Sequence, residues 1–205
     1  MENINQIRKI SIWIFILPVA ALNLCLFISV NYLLFENTIF AVDEIGKTGF
    51  TIPYIDGGVS ISRTARTYPT YLIFKPTMIF TAILLIKYWI ANNKLIGIVN
   101  NEIDKKKYFL IFGVGSALFL IAHSIFLGIK FDYDLYKFFR RFVILGFIIF
   151  EIIAQALLVI SIFKIKEKIE KFINKKILIL KIILVSILII TALASLPFLV
   201  SSEYT

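Results

Sequence analysis

Long apolar runs dominate this chain, and short segments rich in charged and polar residues separate them. A helix needs about 20 consecutive apolar residues to cross a bilayer core of about 30 Å. Five runs reach that length, and they predict transmembrane helices at residues 10–35, 71–91, 108–130, 138–163 and 177–200. We therefore predict an all-α polytopic bundle that forms a single membrane domain over residues 1–205.

The composition agrees with this pattern and narrows the class of protein. Hydrophobic residues make up 60% of the chain, against about 45–50% in soluble domains. The one cysteine, Cys25, and the one histidine, His123, leave no basis for a disulfide framework or a zinc cluster. We expect no metal and no cofactor. The chain also holds no recognisable catalytic motif, which disfavours an enzyme without excluding one.

The net charge of +9 is explained by where the basic residues lie. Thirteen Lys and Arg but only five Asp and Glu fall in the segments 1–9, 87–107 and 164–176. The segments on the other side carry seven of each sign. This is the positive-inside pattern. It predicts an integral membrane protein with a cytoplasmic N-terminus and the C-terminus on the opposite side. It does not identify which cellular membrane holds the protein. Because the pattern accounts for the positive charge, we expect no nucleic-acid partner.

Residues 36–70 form the longest connection between predicted spans. Loops beyond about 12–15 residues are usually functional or disordered, and the many apolar residues in this one indicate order. The sequence Asp56-Gly57-Gly58 predicts a tight turn. Alternating side chains over residues 59–66 predict an extended piece or hairpin. We expect the loop to cap the outer mouth of the bundle.

Five basic residues could form an anion-binding patch under and beside this loop. Arg63 and Arg66 stand among serines and threonines, whose hydroxyls, like guanidinium groups, suit phosphate. Three more basic residues fall at the outer ends of spans: Lys75, Arg140 and Arg141. The sequence predicts contact with a lipid headgroup here. Ordinary interfacial basic residues remain the alternative.

Polar side chains also occur deep inside the predicted spans, where they are costly and mark functional candidates. Glu151 lies 12 residues from the inner end of the fourth span, which is about 18 Å at the helical rise per residue. Similar depths apply to Asn23, His123 and Gln155. We predict an intramembrane polar cluster in which Glu151 is protonated or hydrogen-bonded to His123. It is either a structural cluster that fixes helix register or a proton-linked functional site.

The loop also carries a resemblance to a known family. The segments "IPYIDGG", "SIS" and "YPTYLIFKP" resemble the first outer loop of the FRAG/DRAM/SFK family of multi-helix membrane proteins. The charged inner loops and the polar Gln155 in the fourth span fit as well. The family usually has six spans where five are counted here, and Asp56 stands at the position of its serine. The resemblance implies a role in lipid remodelling, GPI-lipid maturation or lipid asymmetry.

Three functions are therefore open from the sequence. The first is lipid handling or lipid sensing at the outer leaflet, with membrane lipids as partners. The second is an oligomeric carrier or channel subunit with an intramembrane Glu/His site. The third is a non-catalytic scaffold or assembly subunit, which would work with a membrane partner protein.

Overall fold

The computed structural model describes residues 2–51, 61–100, 108–129, 134–165 and 175–200. Within these ranges the chain forms α-helices and two short 3-10 turns, and no strand. The prediction of an all-α protein is confirmed. The helices are α1 (Glu2–Val30), α2 (Ile61–Arg66), α3 (Tyr71–Asn100), α4 (Tyr108–Phe126), α5 (Asp134–Lys164) and α6 (Lys175–Val200), and the 3-10 turns are Tyr32–Phe35 and Glu44–Gly46.

Five of these helices are long and apolar enough to cross a membrane, which confirms the expected number of spans in the part of the chain described. The qualifying segments are Asn3–Val30, Tyr71–Val99, Tyr108–Phe126, Phe138–Lys164 and Lys176–Ala194. Their bounds differ most from the sequence prediction in α1 and α3. The first span begins earlier and ends at Val30 rather than 35, while α3 continues to Asn100.

The early end of α1 has a local cause at Asn31. Its backbone leaves the helical region, with φ −102° and ψ 36°. Its side chain turns back, and Nδ2 donates to the Phe27 carbonyl at 2.9 Å. Asparagine competes for backbone groups in this way and therefore favours helix ends. The apolar residues Tyr32–Phe35 that follow form a 3-10 turn instead of extending the helix.

The five long helices run up and down, and each packs on the next: α1 on α3, α3 on α4, α4 on α5 and α5 on α6. One end of the bundle gathers the start of α1, the end of α3 and the start of α6, and we call it the amino-terminal end. The other end gathers the end of α1, the start of α3 and the residues after α4. It carries the long connection, and we call it the loop end.

The centre of the bundle depends on glycines that let aromatic rings approach a helix backbone. A Cβ at Gly113 of α4 would lie 2.2 Å from the Trp89 ring of α3. A Cβ at Gly115 would lie 2.6 Å from the Phe150 ring of α5. Small residues allow such close packing between membrane helices. The glycines of α4 therefore fix its distance from both neighbours.

The outer surface of the bundle is lined with large aliphatic and aromatic side chains. On α6, only 11% of the membrane-spanning window is buried inside the protein. Exposed residues there include Ile183, Ile187 and Ile190. Hydrocarbon is a suitable surrounding for such a surface, and the helices satisfy their own backbone hydrogen bonds. The protein is therefore an integral membrane protein.

The loop prediction needs one correction, because residues 61–66 are helical rather than extended. Strand alternation would place every second side chain on the same face. Instead, Arg63 and Arg66 are exposed while Thr64 and Ala65 between them are buried. This is the spacing of one helical turn. The predicted turn at Asp56-Gly57-Gly58 lies outside the described residues.

Helix α2 and the residues after it pack on the loop end of the bundle. Ala65 is fully buried in a cluster with Cys25 of α1, Phe74 and Met78 of α3, and Leu127 after α4. The fully buried Thr70 donates its hydroxyl to the Thr67 carbonyl at 2.7 Å. Burying a hydroxyl is tolerated when it is hydrogen-bonded in this way. The segment before α3 is thus an ordered layer over this end.

Candidate functional site

A cavity of about 330 Å³ opens at the loop end between the long connection, the turn after α4 and the start of α5. Two arginines, Arg66 and Arg140, contribute to its wall. Thr67, Tyr68 and Tyr71 also line it, but the Thr67 hydroxyl donates to the Thr64 carbonyl at 3.3 Å and the Tyr68 hydroxyl donates to the Ile39 carbonyl. We call this space the loop-end cavity. Its wall therefore presents two guanidinium groups, which are donors that phosphate oxygens accept from.

The two arginines come from distant parts of the sequence and are brought together by Gly128. This glycine has a positive φ of 83°, and a Cβ there would lie 2.9 Å from the Arg66 carbonyl oxygen. Only glycine takes such a conformation without strain. The turn after α4 can therefore press against the C-terminal end of α2. Arg66 then faces the same space as Arg140 in the second turn of α5.

Asp43 adds a carboxylate to the same wall. Its Oδ2 accepts a hydrogen bond from the Tyr68 backbone N–H at 3.1 Å. Its own N–H donates to the Tyr68 carbonyl at 3.2 Å. These two bonds join the first part of the connection 36–70 to its last residues and hold Tyr68 at the wall of the loop-end cavity. Among the described residues, the wall therefore holds two positive charges and one negative charge.

The other three basic candidates do not line this cavity. Arg63 Nε donates to the Ile45 carbonyl at 2.8 Å, which ties α2 to the second 3-10 turn. Lys75 Nζ donates to the Ile125 carbonyl at 3.3 Å and lies 5.5 Å from the centre of the Tyr71 ring. Arg141 is exposed. The five-residue patch expected from the sequence is therefore divided, with Arg66 and Arg140 in one place.

A second polar group lies between α4 and α5, inside the membrane-spanning region. The Glu151 carboxyl receives a hydrogen bond from Gln155 Nε2 at 2.8 Å. Its Oε2 lies 2.7 Å from Ser116 Oγ. We call Ser116, Glu151 and Gln155 the intramembrane cluster. Trp89 also interacts with this carboxylate, although its buried indole N–H makes no hydrogen bond of ordinary geometry within the described structure.

The hydrogen bonds available to Ser116 bear on whether the Glu151 carboxyl is protonated. Ser116 Oγ lies 2.8 Å from the Gly113 carbonyl oxygen and 2.7 Å from Glu151 Oε2. A serine hydroxyl has one proton to donate. It cannot donate fully to both oxygens. A protonated Glu151 would donate to Ser116 Oγ while Ser116 donates to Gly113, which completes every bond in the cluster.

Two of the four polar residues predicted for this cluster lie elsewhere. Asn23 is exposed on α1, and its Nδ2 donates to the Val19 carbonyl of its own helix at 2.8 Å. The His123 imidazole makes no hydrogen bond to any described residue. The predicted bond between Glu151 and His123 is therefore absent from the described structure.

Several residues of these sites were not singled out as polar candidates from the sequence. Ser116 belongs to the small-residue stretch "GVGSA", which suggests packing rather than hydrogen bonding. Tyr68 and Tyr71 are apolar anchors of the loop by composition. Gly128 follows an apolar run and gives no signal of its position beside Arg66. Ser116 lies within one or two helical turns of the predicted depth of Glu151. That similarity of depth is the one sequence signal that could have suggested it.

Comparison with known proteins gives no significant match, whether with protein-family models, curated proteins or solved structures. The resemblance to the FRAG/DRAM/SFK family therefore stays a prediction. What the fold itself supports is an integral membrane protein, with five helices long and apolar enough to cross a membrane in the part of the chain that the structure describes.

Proposed function

We propose that this integral membrane protein handles or senses phospholipids, and that its loop-end cavity receives the headgroup phosphate. The observation that carries the proposal is the convergence of Arg66 and Arg140 on one cavity of about 330 Å³. Arginine suits this role because its planar guanidinium donates two parallel hydrogen bonds to phosphate oxygens. A phospholipid places that phosphate at the depth where helices leave the hydrocarbon.

The position of the site at the ends of membrane-spanning helices favours a lipid over a free anion. The cavity lies at the starts of α3 and α5, and the first turns of α5 also carry exposed aromatic residues such as Phe138 and Phe142. Aromatic side chains are enriched where helices meet the headgroup layer. A headgroup in the cavity would leave its acyl chains against the apolar exterior of the bundle. Under the predicted orientation, the lipid belongs to the outer leaflet.

Asp43 makes the proposal more specific. A wall with two cations and one carboxylate suits a headgroup that carries both a phosphate and an amine. The Tyr68 N–H occupies one position on the Asp43 carboxylate, and a carboxylate has further acceptor sites. We therefore expect phosphatidylethanolamine to bind at least as tightly as phosphatidylglycerol, and Asp43→Asn to weaken that preference.

The direct test is lipid retention in native mass spectrometry. Protein exchanged into detergent is titrated with phosphatidylethanolamine, phosphatidylglycerol or inorganic phosphate. Hydrogen bonds to charged groups contribute about 1.5–3 kcal/mol each, so Arg66→Gln or Arg140→Gln should weaken lipid binding about tenfold or more. Arg141→Gln is the matched control, because Arg141 is the exposed neighbour of Arg140 on the same helix. Equal losses in all three variants would leave only diffuse surface charge and overturn the proposal.

A second function is favoured by the intramembrane cluster. A carboxyl between two spans, bonded to Gln155 and beside Ser116, has the composition of a proton-linked or ion site. A carrier subunit of this type would show pH-dependent flux in proteoliposomes, and Glu151→Gln would abolish it. The third alternative, a scaffold subunit, would give neither flux nor lipid retention but would co-purify with a membrane partner protein.

A further inference from the structure

A second cavity, of about 250 Å³, lies at the amino-terminal end between α1, α3, α5 and α6. None of the described residues that line it also lines the loop-end cavity. Its polar wall is formed by Arg8 and Ser11 of α1, Tyr88 and Asn92 of α3, and Lys181 of α6. Aliphatic side chains form the remainder. We call this space the amino-terminal cavity.

Lys181 is the unusual residue of this wall. It stands six residues into α6, about 9 Å along the helix axis, and is only partly exposed. Its Nζ donates to the Tyr88 hydroxyl at 3.3 Å. Within the described ranges it forms no salt bridge, and the Glu151 carboxyl, which is neutral when protonated, lies beyond salt-bridge distance. A partly buried ammonium with a neutral partner is costly unless an anion accompanies it.

We propose that the amino-terminal cavity binds the headgroup of a net-anionic phospholipid from the leaflet at that end. Lys181 would pair with the phosphate. The Tyr88 hydroxyl accepts from Lys181, so its own proton is free to be donated to a phosphate oxygen. Asn92 donates one amide proton to the Tyr88 carbonyl at 2.8 Å and retains the other. These three groups converge on one space from two helices.

The volume of the amino-terminal cavity and the residues around it favour a lipid headgroup over a whole soluble ligand. Sites for drug-sized ligands occupy about 300–1,000 Å³, so a cavity of 250 Å³ suits a phosphate and its glycerol. The aliphatic part of the wall, which includes Ile7, Ile162 and Leu178, suits the first methylenes of the acyl chains. Anionic headgroups are also enriched in leaflets that face basic segments.

The test is the thermal stability of purified protein in detergent with added phosphatidylglycerol or phosphatidylcholine. The Arg66→Gln/Arg140→Gln background removes the loop-end arginines, so the result does not depend on the function proposed above. Ligand at ten times its Kd should raise Tm by about 3–6 °C. We expect phosphatidylglycerol to give this shift and phosphatidylcholine to give less than half of it.

Lys181→Met should abolish the difference between the two lipids, because it keeps an unbranched side chain of nearly the same length and removes the charge. Lys87→Met is the matched control, since Lys87 precedes Tyr88 on α3 but is exposed and outside the wall. Ser11→Trp fills the cavity from α1 and should also abolish the difference, whereas Ile12→Trp, on an exposed neighbour, should not. A shift that survives both Lys181→Met and Ser11→Trp, or that Lys87→Met removes equally, overturns the proposal.

Discussion

Ser116 Oγ on α4 lies 2.7 Å from Glu151 Oε2 on α5. This contact joins the two helices that pack most extensively in the described structure. It brings a serine from a small-residue stretch to a carboxyl near the middle of the membrane-spanning region. A polar contact between membrane helices in this setting contributes modestly, about 0.6 kcal/mol on average and up to about 2 kcal/mol. Its main effect is to fix how α4 is rotated about its axis relative to α5.

Glu151→Gln and Glu151→Ala should separate charge from hydrogen bonding in this cluster. The amide keeps an acceptor for Gln155, so we expect a loss of stability of about 1 kcal/mol or less. Alanine leaves the Gln155 amide unsatisfied and should cost about 1–3 kcal/mol. Thermal unfolding in detergent gives both values. Equal losses for the two variants would mean that hydrogen bonding to Gln155 does not stabilise the fold.

The protonation of Glu151 can be tested by infrared spectroscopy. Full hydrogen bonding of Ser116 to both Gly113 and Glu151 requires the proton on the carboxyl. We expect the carbonyl stretch of a protonated carboxylic acid in the wild-type protein at neutral pH. The band should be missing from Glu151→Gln and present in Glu36→Gln, which alters an exposed acid. If Glu151→Gln instead removes a carboxylate band, Glu151 is ionised in the wild-type protein and the proposed protonation is wrong.

Gly113→Ala should destabilise the bundle by overpacking. The new Cβ would lie 2.2 Å from Trp89 Cδ2, and the Trp89 side chain is fully buried. Extra methyl groups in a packed core typically cost about 1–3 kcal/mol. The control is Gly49→Ala, where nothing lies within 4 Å of the new Cβ. Adding Trp89→Leu to Gly113→Ala should recover part of the loss. An unchanged Tm for Gly113→Ala would show that α3 and α4 are not held this closely.

Gly128→Ala should weaken the loop-end cavity. The residue has φ 83°, and the added Cβ would meet the Arg66 carbonyl oxygen at 2.9 Å. Holding a non-glycine residue in that conformation costs about 1–3 kcal/mol. The turn should move away from α2, so lipid retention should fall together with stability. Lys75→Met serves as the comparison, because Lys75 bonds the Ile125 carbonyl outside the cavity. It should leave lipid retention unchanged.

The predicted orientation can be tested by cysteine labelling. Cys25 is buried, and Cys25→Ala gives a background without accessible thiols. Arg63→Cys at the loop end and Lys94→Cys near the amino-terminal end both replace exposed residues. A membrane-impermeant maleimide on intact cells should label residue 63 and leave residue 94 unlabelled until the membrane is opened. Labelling at 94 alone would invert the orientation, and labelling at both would contradict the spans.

The sequence by itself determined the class of this protein, because the length of an apolar run is a local property. Five runs long enough for a bilayer correspond to five helices that are long and apolar enough to cross it, counted over the described residues. The pairing of Glu151 with Gln155 was also readable, since residues four apart share one face of a helix. The end of α1 at Asn31 could not be read from the sequence, because an apolar composition suits both an α-helix and the 3-10 turn that follows. The helix at Ile61–Arg66 could not be read either, because a short alternating pattern fits both a strand and a helical turn.

Only the tertiary structure decided which polar groups meet. Helices that are apolar on every side carry no stripe that reveals their buried face, so Asn23 could be placed at the depth of Glu151 but not on a face. Asn23 is exposed on α1, whereas Ser116 meets Glu151 on a helix that packs closely through Gly113 against Trp89. In the same way, the contact of Gly128 with Arg66 selected Arg66 and Arg140 from five basic candidates. Such contacts join residues far apart in the chain, and no local pattern records them.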